Sequence, residues 1–159
     1  MEKNKLLISG RISEREARVL NIEFQNPDFD IVKYSAQGAA ISGIHDIVHL
    51  IFDDLSPLSF ARDYVIGKVL DITYSTIKKV AVRLRAKNKV VSSLSILHEY
   101  QKQDGSLVFV KFTAKEEKFD KLIKEVYEGL NFEFFEGIQA GKNVTVTLDN
   151  QDKLVIQVI

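Results

Sequence analysis

Between Ser56-Pro57 and Asn88 the chain repeats apolar residues at helical spacing over its longest continuous stretch. Leu58, Ala61, Val65, Val69, Ile72, Val80 and Leu84, with Ile66, Leu70, Ile77 and Ala81 alongside, form an apolar face wider than a coiled-coil seam. Ser56 supplies a cap, and Pro57 stands at the first helical position, where its missing amide costs nothing. The pattern predicts a helix over about 57–88, ~45 Å long, across which the rest of the domain packs. Gly67 lies inside it at a cost of ~1 kcal/mol relative to alanine. That glycine marks a close crossing with another element or with a partner chain.

Punctuation along the chain places the other elements. Lys5–Ile12 reads as a strand, and Ser13-Glu14-Arg15-Glu16 is a capping box that opens a short helix ending near Asn26-Pro27. A strand is the rival for that segment, because Leu20, Ile22 and Phe24 alternate with polar residues. Asp28–Ser35 is a second strand, and an Ala- and Gly-rich loop at Ala36–Ser42 leads into a helix at Gly43–Leu55. Val90–Lys102 and Ser106–Phe112 flank Asp104-Gly105, a two-residue hairpin signal. Thr113-Ala114-Lys115-Glu116 is a second capping box, opening a helix with Phe119, Leu122, Ile123, Val126 and Leu130 on its inner face. A Phe-rich bridge follows, and then Asn143–Leu148 and Lys153–Ile159 form a hairpin around Asp149-Asn150. The order suggests hairpins instead of regular βαβ units. It predicts one α+β domain over residues 1–159, with a mainly antiparallel sheet packed on the long helix and two or three shorter helices. The C-terminal strand Leu154–Ile159 is apolar, and an interior place in the sheet is slightly favoured over an edge.

Composition removes several classes of function. A chain of 159 residues can bury ~70% of its unfolded surface without a disulfide or structural metal. With no cysteine, thiolate zinc sites, iron–sulfur clusters and cysteine nucleophiles are excluded. Lysine plus arginine equals aspartate plus glutamate at 22 each, so no bulk field draws nucleic acid or anionic membrane. Only Leu6-Leu7-Ile8 follows the charged start, too short for a signal peptide, and no apolar run of about 18 residues appears. These features predict a soluble, cytoplasmic domain.

His45-Asp46-Ile47-Val48-His49 is the one stretch that reads as chemistry. Two histidines at i and i+4 on a helix match zinc-protease spacing, with Asp46 where that signature has glutamate. His45 and His49 would be metal ligands and Asp46 the base that activates water. Against this, aspartate is one methylene short of reaching the bound water, and no third-ligand motif follows. Asp63 and Asp71 stand in no recognisable pattern. His98 is predicted opposite Lys111, where a cation disfavours a second one. An HD-type phosphohydrolase needs a further histidine upstream, and none exists. A solvated face of an amphipathic helix is the preferred account of the stretch, and no metal or cofactor is implied.

Other clusters are weaker. Lys78, Lys79, Arg83, Arg85, Lys87 and Lys89 concentrate positive charge near one helix end, a candidate contact for nucleic acid or phosphate. They spread around the circumference without interleaved aromatics, as residues complementing a helix dipole do. Arg62 is a candidate anion ligand, although such arginines more often snorkel along a core beside a carboxylate. Asp30 and Lys33 miss a nuclease-type spacing by one residue, and Gly38–Gly43 lacks a phosphate-loop pattern.

The expected function is a non-catalytic protein-interaction or regulatory module, meeting a protein partner or a second copy through the long helix or the C-terminal strand. The first alternative is a metal-dependent hydrolase on His45, Asp46 and His49. The second is a nucleic-acid or nucleotide binder using the basic helix end.

Overall fold

The computed structural model describes residues 3–27, 29–34, 47–54, 58–59 and 66–159. In chain order they form β1 (Asn4–Gly10), α1 (Glu14–Phe24), β2 (Phe29–Lys33), β3 (Ile47–Asp53), β4 (Leu58–Ser59) and α2 (Ile66–Ala86). Then come β5 (Val90–Gln101), β6 (Leu107–Lys115), α3 (Phe119–Gly129), α4 (Phe132–Glu136), β7 (Asn143–Leu148) and β8 (Leu154–Val158). The strands make one sheet in the order β2-β1-β3-β5-β6-β7-β8, with β4 paired to the end of β5.

The α+β class with shorter helices around a sheet is observed, but the sheet is mixed instead of mainly antiparallel. β1 with β2, β3 with β5, and β6 with β7 are parallel. Each of these pairs is joined through a helix, because parallel neighbours cannot be linked by a tight turn. The described elements therefore make three βαβ crossovers. Only β5–β6 and β7–β8 are the hairpins expected from the turn residues.

Three local expectations are also corrected. The segment 47–53 is a strand, not part of a helix over 43–55: Val48, Leu50 and Phe52 are buried while Ile47, His49, Ile51 and Asp53 are half-buried. Its apolar residues satisfy both periods, and interior strands are apolar on both sides. The helix expected over 57–88 is α2, 21 residues long. It cannot start at Pro57, because Leu58 and Ser59 pair with Tyr100 and Gln101 as a strand. The second capping box does not form. β6 runs on to Lys115, and Thr113 accepts a hydrogen bond from the Ser95 hydroxyl at 2.8 Å.

Other expectations hold. Ser13 Oγ accepts from the Glu16 amide at 3.1 Å, and Glu16 Oε1 accepts from the Ser13 amide at 3.0 Å, so α1 forms and the rival strand does not. Gly67 does mark a close crossing: a Cβ there would meet the Tyr127 ring of α3 at 2.6 Å.

Side chains of one alternating set on each strand are buried, including Leu6, Ile8, Leu50, Leu94, Ile96, Val110 and Phe112. They share a single core with Leu20 of α1, Leu70 and Ile77 of α2, and Phe119 and Leu122 of α3. Each such side chain contributes roughly 1.5–3 kcal/mol through removal from water. Tyr74 stacks on Phe119, and Tyr100 on Phe135, each with ring centroids 5.0 Å apart. The helices thus form one layer on one face of the sheet. The first two crossovers then share a hand, and the third, advancing the opposite way relative to its strand direction, has the other. Parallel crossovers are right-handed in nearly all proteins, so the three cannot all follow the usual pattern.

Candidate functional site

Alternation that sends one set of strand residues into the core sends the other to the face bearing none of these helices. Pairing registers set that second set in rows across the strands. One row is Ser9, His49, Ser93 and Lys115; the next contains Leu7, Ile51, Ser95 and Thr113. His49 Nδ1 is 2.7 Å from Ser93 Oγ, so the two side chains satisfy each other across β3 and β5. The third row, Lys5, Asp53, Leu97, Lys111 and Thr145, alternates charge around a central leucine.

The third row borders a groove of about 320 Å³ lined by Asp53, Leu97, Glu99, Phe109 and Lys111, with Asn143 and Thr145 at the β7 side. Leu97 is half-buried and Phe109 keeps 40% of its surface exposed. Glu99 stands opposite Phe109, and Phe109 opposite Asn143. The carboxylates thus belong to β3 and β5, and the ammonium and amide to β6 and β7. Among the described residues, Asp53, Glu99 and Lys111 form no ion pair or side-chain hydrogen bond. This contrasts with the cations of the helix layer.

Those cations include the candidates of the basic helix end. Arg83 reaches Glu23 of α1 at 2.5 Å, and Lys87 approaches the same carboxylate at 3.6 Å. Arg83 holds the Glu23 carboxyl below its ordinary range. Lys89 pairs with Glu16 at 3.2 Å, and Arg85 pairs with the buried Glu116. Tyr74 also donates to Glu116 at 3.2 Å. Burial, followed by the Glu116 charge, pushes the Tyr74 hydroxyl above its usual range. Lys78 lies 5.6 Å from the Tyr74 ring centroid, and Lys79 is exposed. Four of the six cations therefore tie α2 and the turn after it to α1 and to the turn after β6.

Of the metal candidates, His49 is the half-buried strand residue already described, and His45 and Asp46 lie outside the described residues. Arg62, Asp63 and the Gly38–Gly43 turn are also outside them, while Asp71 is exposed on α2. No three His, Asp or Glu side chains among the described residues are grouped to hold a metal ion. His98 does not face Lys111. It pairs with Val110, turns into the core edge-on to Phe112, and places Nδ1 3.6 Å from Asp54 Oδ2.

The groove residues were not singled out by any motif. Their signal is the period-two pattern of Phe109 and Lys111, which is visible only once the facing strands and register are known. Likewise β8 is an edge strand, not interior, and among the described residues it pairs with β7 alone. Asn143 and Ile159 exchange both backbone bonds, at 3.1 and 2.9 Å. Antiparallel alternation then directs the amides and carbonyls of Leu154, Ile156 and Val158 away from the sheet. Comparisons with protein-family models, with curated proteins and with solved structures give no match to this chain.

Proposed function

We propose that this chain is a non-catalytic interaction module whose protein partner adds a strand to β8. The observation that supports this is the outward set of backbone groups at Leu154, Ile156 and Val158, on an apolar strand at the sheet edge. Edge strands are templates for strand addition unless charge, proline or a bulge blocks them. β8 carries none of these within Leu154–Val158.

A second copy of this chain is the simplest partner, because the edge is self-complementary in an antiparallel register centred on Ile156. That register sets Leu154 against Val158 of the partner copy and Ile156 against its own counterpart, with no like charges opposed. Light scattering over a concentration series tests the proposal. The expected mass rises toward two chains with concentration, and Val158→Pro holds it at one chain. Val158 is 49% exposed and its amide points off the edge, so proline there removes a donor without breaking the β7 ladder. A one-chain mass for the parent protein at every concentration overturns the self-pairing mode.

A further inference from the structure

The groove over Leu97 carries a second inference, independent of the β8 edge. Its floor is apolar, its wall is the Phe109 ring, and its ends differ in charge. Asp53 and Glu99 stand on the β3–β5 side, while Lys111 and the Asn143 amide stand on the β6–β7 side. Adjacent strands are ~4.8 Å apart, so the backbones carrying Asp53 and Lys111 are separated by about 10 Å. Leu97 occupies the space between them. Lys5 faces Asp53 from β1 but does not line the groove.

Charges left without partners around an apolar floor are costly to surround with apolar surface, and they favour a ligand that answers both signs. We propose that this groove binds a small zwitterion: a ligand with a cationic end, a carboxylate end and a short apolar chain between them. The cation would lie at Asp53 and Glu99, the carboxylate at Lys111 and the Asn143 amide, and the chain over Leu97 against Phe109. The volume, about 320 Å³, suits one small molecule and is near the lower end of ligand pockets.

The test uses the full chain and 6-aminohexanoate as the probe, with hexanoate and hexylamine as single-charge controls, followed by calorimetry and amide chemical shifts. Saturable binding below about 10 mM is expected, with shifts concentrated at Leu97, Phe109 and Asn143. Glu99→Gln and Lys111→Gln each weaken it about five-fold, the worth of one exposed ion pair. Glu128→Gln, on the helix layer, leaves it unchanged. Both groove positions are exposed, so the thermal midpoints of the variants match the parent and a folding defect is separated from lost binding. Absence of saturation overturns the proposal. So does equal binding of either single-charge control, or a parent-like affinity in either groove variant.

Discussion

Gly10 occupies a position that other residue types reach only with strain. Its φ is +104°, and a Cβ there would collide with the carbonyl oxygen of Ile47, where β1 and β3 meet. Gly10→Ala is expected to destabilise the protein by roughly 2–4 kcal/mol, combining left-handed strain with a clash against backbone that cannot swing away. Urea unfolding measures it, and a change below about 0.5 kcal/mol contradicts the assigned geometry. Asp152 makes a different prediction. Lys118 and Lys121 donate to its carboxylate at 2.7 and 2.9 Å, and these bonds hold it down to about 2 from an ordinary value of 3.8. A depressed value in the folded state adds stability that is complete above the unfolded value and is lost as pH falls through the folded one. The unfolding midpoint should therefore decline between about pH 4 and pH 2. Asp152→Asn, which tolerates the local φ of 59°, should flatten that part of the decline. An identical slope in parent and variant refutes the pairing. Glu116 shows why single residues can mislead: the motif Thr113-Ala114-Lys115-Glu116 is locally a cap. A buried place beside Tyr74 and Arg85 uses the same carboxylate instead.

At the scale of elements, α2 meets α3 where Gly67 lies under the Tyr127 ring. Gly67→Ala gains up to ~1 kcal/mol of helix propensity but pushes against ring atoms near the base of that side chain, and overpacking costs roughly 1–3 kcal/mol. A net loss of about 1 kcal/mol is expected, and it should disappear when Tyr127→Ala is the background. An additive double mutant, measured by thermal or urea unfolding, would place the crossing elsewhere. Elements announced by caps and turn residues were legible in the sequence: α1 from Ser13 and Glu16, and β7–β8 from the Asp149 turn. Two kinds of element were not. β3 carries apolar residues on both faces, with Ile47 and Ile51 beside His49 and Asp53 on the second, so periodicity could not separate strand from helix. The sequence predicts a two-residue Asp104-Gly105 loop between β5 and β6. The turn is a three-residue loop closed by Lys102 and Ser106, with Gly105 at φ +88°. That single residue moves the register by one and inverts every facing pair. It takes His98 away from Lys111 and into the core, and it brings Leu97 opposite Lys111, which makes the groove.

Strand order explains at the scale of the whole molecule why none of the described helices lies over that groove. With the hand of the first two crossovers, the third would carry α3 to the far face and cover the row around Leu97. The opposite hand keeps α3 beside α2, burying Phe119 on Tyr74, and leaves the second face without any of these helices. The same path puts β8 at one end of the sheet, so stability should fall from the centre outward. Amide hydrogen exchange tests this in one experiment. Amides of Leu94 and Ile96 on the central β5 should exchange slowest. Along β8 an alternation is expected: Val155, Gln157 and Ile159 are protected by β7, while Leu154, Ile156 and Val158 exchange rapidly in dilute protein. Raising the protein concentration should slow the second set alone if a second copy adds to the edge. Uniform protection along β8 at low concentration would show that its outer side is already covered within one chain, and the edge-pairing mode would then fail.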